Sequence, residues 1–454
     1  MSVGEFLTRA LPRSVTHRIN DSPLARRLAR GAFWTLVGAA AARILRIPIS
    51  VLLARFMGPT MYGELGVASA SIDLFGMLAG LGLGMTATKY VAELRVKDPV
   101  RAGAIIAVST IVATVGGGVF AIALFVFAPW LAAHTLAAPH LTVPLRIGSL
   151  ALFFSSINGA QSGALFGFEA FHLVAKLQAI VGILDLPFML GGYSLGGLNG
   201  VLVGMAASRI LTCILMQRAL ASEAARHGIT VVLTHWRQEL AVLWHFSVPA
   251  ALSGAMAFPV NWVCSAILVN KPHGYAEMGA YNAASQWYNM LIFLPSVLGS
   301  GLLPILSDRM GRRDGKSSDK IINFMIGLNA AIVVPCAFVM SLASHLIMRL
   351  YGGGYRDAWP TLIVVLWTAA IMAVISPVGD VIAASGKMWI GFVMNSAWAT
   401  VFIALTLLLA SRGSIGLASS RMIAYLFHAT WTLGFARLIL RSNHVEASEI
   451  LQVH

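Results

Sequence analysis

Arg43 and Arg46 stand three residues apart within 31–56, a run apolar and long enough to cross a bilayer. A guanidinium near the centre of such a run costs about 2.5–3.5 kcal/mol on insertion scales, so it needs protein, water or a ligand around it. Thr35, Ala39, Arg43, Arg46 and Ser50 recur at steps of three and four and share one helical face. Two planar donor forks one turn apart suit a phosphate or diphosphate. The structural alternative is an ion pair with Asp73 in the next run. Other polar stripes follow the same spacing: Ser155, Asn158 and Ser162 with Gln161 adjacent; Asn282, Gln286 and Asn289; and Arg421, Tyr425, His428 and Thr432. The candidate substrate-binding set is therefore Arg43, Arg46, Asn158, Asn282, Gln286, Asn289 and Arg421. Asp73, Asp185 and Asp380 also lie within apolar runs, and Glu169 at a short loop. They are candidates for coupling to protons or sodium, or simply partners for the arginines, and the sequence leaves both open. The amides have an equally plain reading as interhelical hydrogen bonds. His428 reads as a packed histidine, and Arg209 lies close enough to a helix end to snorkel. Gly66, Ser69, Asp73, Gly76, Gly80 and Gly84 form a small-residue face suited to close helix packing.

No enzyme chemistry accompanies these groups. The chain has no Walker loop, no H-E-x-x-H and no G-x-S-x-G. Gly352-Gly353-Gly354 sits at a turn between apolar runs without the context of a phosphate loop. Cys213, Cys264 and Cys336 are far apart in apolar stretches, which excludes a zinc site or disulfide framework and predicts three buried small hydrophobes. No cofactor is implied.

The elements that must position these side chains are membrane helices. Hydrophobic residues make up 58% of the 454 and charged residues 11%, too few charges to cover a water-soluble surface. Twelve continuous apolar segments are expected at 31–56, 65–88, 102–130, 143–166, 174–192, 195–216, 240–268, 278–306, 321–348, 358–384, 388–410 and 414–439. They do not alternate, which favours helices over a barrel. A stretch at 31–41 mimics a signal peptide, but the apolar run continues past Arg46 and suits an uncleaved first helix.

From an inside N-terminus, 22 of the 32 Lys and Arg residues fall on the inner side and six on the outer. This bias places both termini in the cytoplasm and explains most of the net charge of +14 without nucleic acid. Residues 1–30 read as a cytoplasmic tail that meets membrane lipids, 31–220 as a six-helix lobe, 221–239 as a linker, 240–440 as a second six-helix lobe and 441–454 as a second tail. No loop is long enough to fold as a domain.

Gly58-Pro59-Thr60-Met61-Tyr62-Gly63-Glu64-Leu65-Gly66-Val67-Ala68-Ser69-Ala70 matches Lys271-Pro272-His273-Gly274-Tyr275-Ala276-Glu277-Met278-Gly279-Ala280-Tyr281-Asn282-Ala283 at a constant offset of 213, with Pro, Tyr, Glu, Gly and Ala coinciding. Each stretch joins the first two segments of a six-segment half. The chain is therefore expected to be an all-α integral membrane protein of about twelve transmembrane helices in two pseudo-symmetric six-helix bundles. Parallel repeats of this kind are a transporter architecture.

Leu53-Ala54-Arg55-Phe56-Met57-Gly58-Pro59-Thr60-Met61-Tyr62-Gly63 resembles the A-R-x-L-G-P-x-x-Y-G signature that ends the first helix of polysaccharide flippases. Gly80-Leu81-Gly82-Leu83-Gly84 with Thr88-Lys89-Tyr90-Val91-Ala92 resembles the end of their second helix. Tyr281-Asn282-Ala283-Ala284 with Leu294-Pro295 and Leu303-Pro304-Ile305-Leu306-Ser307 resembles their eighth. Leu350-Tyr351-Gly352 with Tyr355 and Ala358 resembles the turn before their tenth. The resemblance, from about Arg30 to Leu440, is to the O-antigen and exopolysaccharide flippases of the multidrug/oligosaccharidyl-lipid/polysaccharide (MOP) exporter superfamily. It implies a bacterial inner-membrane transporter that moves an undecaprenyl-diphosphate-linked oligosaccharide to the outer leaflet by alternating access, alongside other polysaccharide assembly proteins. Arg43, Arg46 and Arg421 would supply the cationic cavity the family leads one to expect.

A cation-coupled multidrug exporter of the same superfamily is the first alternative. Its cavity should be acidic, whereas the clearest mid-segment charges here are basic. A membrane-embedded polysaccharide polymerase or ligase is the second, and it would need a longer outside loop than any present.

Overall fold

Backbone amides in hydrocarbon have no water to bind, so an apolar chain of this length must satisfy them internally. The computed structural model describes residues 23–80, 82–233, 256–299, 302, 306, 315–385 and 388–452, and nearly all are helical. In chain order the helices are α1 (Pro23–Gly80), α2 (Leu83–Lys97), α3 (Pro99–Trp130), α4 (Thr142–Gly167), α5 (Phe171–Arg226), α6 (Ala257–Val269), α7 (Gly274–Gly299), α8 (Gly315–Leu342), α9 (Ser344–Leu350), α10 (Trp359–Ala384), α11 (Met388–Leu409) and α12 (Gly413–Gln452). Seven helical stretches among the described residues are long and apolar enough to cross a membrane. The protein is an all-helical membrane protein.

Two of those stretches run to 55 and 56 residues. At about 1.5 Å per residue each is more than twice as long as a bilayer core is thick. Both contain non-helical residues where glycine permits what other residues resist. Gly58 in α1 adopts φ 74°, with Pro59 opening the next helical turn, and Gly197 in α5 adopts φ 54° beside Gly196. The turn expected near Leu195 is there. The expected second segment, 65–88, needs correction: its helix stops at Gly80 and restarts at Leu83. Three closely spaced glycines cannot hold a straight helix against the freedom they allow. The helix from Pro23 runs on through Arg46 without a break until Gly58.

Contacts gather the chain into two compact units, one comprising Met1–Ile49, Phe75–Ala128 and Val143–Leu252, the other Ser50–Leu74, Pro129–Thr142 and Ser253–His454.

In the first unit, Val91, Ile105, Leu165, Val174, Met216 and Leu220 form a core drawn from α2, α3, α4 and α5. The α2–α4 seam is as close as backbones permit: a Cβ on Gly163 would stand 2.1 Å from the Gly84 carbonyl oxygen, and Thr88 donates to the Gly163 carbonyl at 2.9 Å. Arg95 and Glu169 pair at the end of this seam. In the second unit α10 is central, packing on α7, α8 and α12, while α11 packs on α12 and α6. Leu306, Ile322, Val378, Val381 and Ile382 form its core, and Asn329 of α8 donates to the Ala373 carbonyl of α10 at 2.8 Å.

The exposed surface is apolar where a membrane protein meets lipid: Val115, Val119, Ile122 and Val126 on α3, and Phe338, Val339 and Leu342 on α8. Cys336 lies on this kind of surface and is exposed, which corrects the expectation of three buried cysteines. Cys264 is buried and Cys213 half-buried. Residues 1–22, 234–255 and 307–314, with most of the expected N-terminal tail and the two larger inner loops, lie outside the described residues.

Candidate functional site

Helix α12 carries Arg421, Tyr425, His428 and Thr432 at steps of four, three and four, and α7 carries Tyr281 and Tyr288 two turns apart. Where these helices meet, the rings surround the guanidinium. Arg421 Cζ is 4.2 Å from the ring centre of Tyr288 and 5.7 Å from that of Tyr425. Arg421 Nη1 donates to the Tyr281 hydroxyl at 3.1 Å. Tyr425 in turn stacks on Trp398 of α11, with ring centres 5.1 Å apart at 28°.

Among the described residues no carboxylate pairs with Arg421, and its Nε is buried without a hydrogen-bond partner. Aromatic faces stabilise a cation by their quadrupole while leaving the edge of the guanidinium, where its five N–H bonds point, for an acceptor. Among the described residues only one of those donors has a protein partner. The arrangement offers a fixed, singly anchored fork to an anion.

The other expected residues divide by unit. In the second, Asn282 faces Gly66, on which a Cβ would stand 1.6 Å from Asn282 Nδ2; that nitrogen is buried without a partner among the described residues. Gln286, on the next turn of the same stripe, is half-buried, and Asn289 is exposed. Asp73 is exposed and Asp380 half-buried. Arg421 therefore shares its helix pair with Asn282, Gln286 and Asn289.

In the first unit, Arg43 and Arg46 are exposed on α1. Asn158 of α4 donates to the Arg209 carbonyl of α5 at 3.2 Å, and neighbouring Gln161 donates to the Cys213 carbonyl at 3.3 Å and to Gln217 at 3.0 Å. These amides link two helices. Asp185 accepts the hydroxyl of Ser208 within α5, across the bend at Gly196–Gly197. Among the described residues His428 makes no ion pair, and it lies beside Thr432 and Trp431.

Outside the membrane segments, Tyr275 donates to the Leu136 carbonyl at 2.7 Å. Burial, and secondly the Glu64 carboxylate, push its hydroxyl above the ordinary phenol range, so it stays a donor at every physiological pH.

The polysaccharide biosynthesis protein family matches residues 28–310. The chain belongs to that family. A MatE family match covers residues 249–408. The EPS I polysaccharide export inner membrane protein EpsE of Ralstonia nicotianae is 28% identical over 189 residues, covering 40% of this chain and 43% of EpsE. The succinoglycan biosynthesis transport protein ExoT of Rhizobium meliloti is 23% identical over 349 residues, covering 74% of this chain and 65% of ExoT. The aligned region thus spans less than half of the first relative and just under two thirds of the second. An inward-facing multidrug resistance MATE transporter of the MOP superfamily shares the fold, with a TM-score of 0.76 at 14% identity over 90% of this chain and 99% of that one. At that identity the likeness shows the fold alone.

Sequence reasoning placed Arg421 and Tyr425 on one face but missed the rest of the cage. Tyr281 and Tyr288, seven residues apart, were the available signal for a second aromatic face on α7. Nothing in local spacing linked that face to Trp398 or to α12, since the pairing is made across more than a hundred residues.

Proposed function

We propose that this family member is a bacterial inner-membrane flippase. It translocates an undecaprenyl-diphosphate-linked oligosaccharide, an O-antigen or exopolysaccharide repeat unit, to the outer leaflet by alternating access. The observation that carries this reading is Arg421, a cation held by three tyrosines with no carboxylate among the described residues to neutralise it. An ammonium-type drug would be repelled there, whereas a diphosphate or an acidic sugar would complete the pair. Arg43 and Arg46 on α1 are the basic candidates of the first unit, and the amides of Asn282, Gln286 and Asn289, on the helix beside Arg421, suit sugar hydroxyls.

Twelve spans in two six-helix lobes with both termini cytoplasmic fit this role. Support comes from the basic bias of the loops, the two stretches long enough to cross twice, and the names of the relatives, an export inner membrane protein and a biosynthesis transport protein. The second reading, cation-coupled multidrug export, draws on the MatE match and the shared fold. Asp73, Asp185 and Asp380 are the proton- or sodium-coupling candidates under either reading.

Purified protein in vesicles containing a fluorescent lipid-linked oligosaccharide tests the choice. Faster exposure of the glycan to an added lectin than in empty vesicles is expected, with no uptake of a lipophilic cation. Cation uptake with unchanged glycan exposure would replace this reading by the second.

A further inference from the structure

The sequence repeat meets itself in the folded chain. Within the second unit, the stretch 58–66 packs on its counterpart at 271–279. A Cβ on Gly63 would stand 1.9 Å from the Tyr275 carbonyl oxygen, and one on Gly279 would stand 2.0 Å from the Pro59 carbonyl oxygen. Only backbone fits in this seam.

The two equivalent tyrosines then reach in opposite directions. Tyr275, from the C-terminal half of the sequence, donates to the Leu136 carbonyl in the turn that follows α3, at 2.7 Å. Asn270 adds a bond to the neighbouring Thr135 carbonyl, also at 2.7 Å. Tyr62, from the N-terminal half, meets the ring of Tyr355 edge-on at 6.4 Å in the turn that precedes α10. Its hydroxyl lies 2.9 Å from Ser50 Oγ, and Tyr355 donates to the Ala54 carbonyl at 3.3 Å. Pro59 touches the same turn, 3.1 Å from where a Cβ on Gly354 would sit. Each half's repeat stretch thus holds the other half's turn.

The chemistry of this seam differs from that of the unit's core. Leu306, Ile322, Val378 and Val381 are held by apolar burial and gain nothing from parting in water. The repeat seam buries the Tyr62 and Tyr355 rings, but the rest of it is backbone apposition and single neutral hydrogen bonds to carbonyls, groups that water can satisfy on both sides once they separate. All of these turns lie on the outer side in the orientation proposed above.

We infer that the two repeat stretches are a reciprocal latch that holds the outer end closed and parts to let the substrate leave. The inference rests on the transport reading, and its tests separate the two. Pro59→Cys with Gly354→Cys, in a chain whose three native cysteines are alanine, places two thiols within bridging reach across the seam. The cross-linked protein is expected to lose glycan translocation by at least about tenfold and to regain it on reduction. A cross-linked protein that translocates at the reduced rate overturns the latch. So does a pair that fails to cross-link in membranes, since the two stretches then do not meet there.

Labelling decides the latch without any substrate. Ser50→Cys, beneath Tyr62, is expected to react with an outside, impermeant maleimide about fivefold faster when Gly63→Ala wedges the seam. If Gly63→Ala does not accumulate, Tyr275→Phe takes its place, because it removes only one hydroxyl. Unchanged labelling overturns the latch. If the unaltered chain translocates no glycan, the transport reading fails and the labelling result still stands.

Discussion

Arg421 lies against the face of Tyr288, its Cζ 4.2 Å from the ring centre. The contact stabilises the cation without consuming a donor, which leaves the fork to act on an anion. Replacing Arg421 by alanine should lower affinity for a lipid-linked glycan by about tenfold to a hundredfold, the worth of one charge-assisted contact. Lysine keeps the charge but loses the fork and should fall between. Tyr288→Phe keeps the ring and should bind nearly as the parent, while Tyr288→Leu should lose about 0.5–2 kcal/mol. Titration of the glycan into purified protein measures all four. Equal affinity of the parent and Arg421→Ala would remove Arg421 from the site.

The helical fold was legible because hydrophobic runs of membrane length have few alternatives, and because Gly58 and Gly196–Gly197 announce turns in the chain itself. The break at Gly80–Leu83 was harder to see, since its apolar residues continue the run while its glycines weaken the helix. Stripes predicted which residues share a face, as with Arg421 and Tyr425. They did not predict what a face meets: Asn158 faces a backbone carbonyl, whereas Arg421 faces tyrosines from another helix. Cys336 was misplaced because an apolar neighbourhood in a membrane protein is compatible with facing lipid as well as with burial.

Arg43 and Arg46 are exposed on α1 and remain the sharpest charge candidates of the first unit. If they attract an anionic substrate, Arg43→Ala and Arg46→Ala should accumulate normally and export less polysaccharide, with Arg-to-Lys milder in each case. If either instead pairs with Asp73, its loss should reduce the amount of protein in the membrane, and replacing Asp73 as well should restore it. Quantitative immunoblots beside export assays distinguish the two outcomes.

Gly163 and Gly191 make a paired test of helix packing. A side chain at Gly163 would meet the Gly84 carbonyl at 2.1 Å, whereas nothing lies within 4 Å of one at Gly191. Gly163→Ala should therefore force α2 from α4 and cost about 1–3 kcal/mol, and Gly191→Ala should be neutral or slightly stabilising. Thermal unfolding in detergent, followed by tryptophan fluorescence, should separate them clearly. Equal melting would mean the α2–α4 seam is looser than its geometry implies.

Thr60 and Val96 are both exposed and should lie on opposite sides of the membrane. Under the proposed orientation, Thr60→Cys reacts with an impermeant maleimide added to intact cells, and Val96→Cys reacts only after the cells are opened. The reverse pattern would invert the chain and assign its basic loops to the outside.

Glu64 and Glu277 occupy the same place in the sequence repeat but do different work. Glu277 Oε2 accepts the Ser414 backbone N–H at 2.7 Å, capping α12 seven residues before Arg421. Glu64 lies 2.8 Å from His140, whose side chain is 61% exposed. A carboxylate on a helix N-terminus gains from both the hydrogen bond and the helix dipole, so Glu277→Ala should cost about 0.5–2 kcal/mol, with Glu277→Gln roughly half as severe. Gly413 leaves no room for a side chain beside Glu277, and its φ of 69° disfavours one, so Gly413→Ala should disturb the same cap. Glu64→Gln weakens only a solvent-screened pair and should cost well under about 1 kcal/mol. Melting temperatures of the four variants, with glycan affinity measured alongside, check the argument. If Glu277→Ala lowers both stability and affinity while Glu64→Gln changes neither, the cap positions α12 and through it the arginine; if the two glutamates prove equivalent, Glu277 does no more for α12 than an exposed ion pair would.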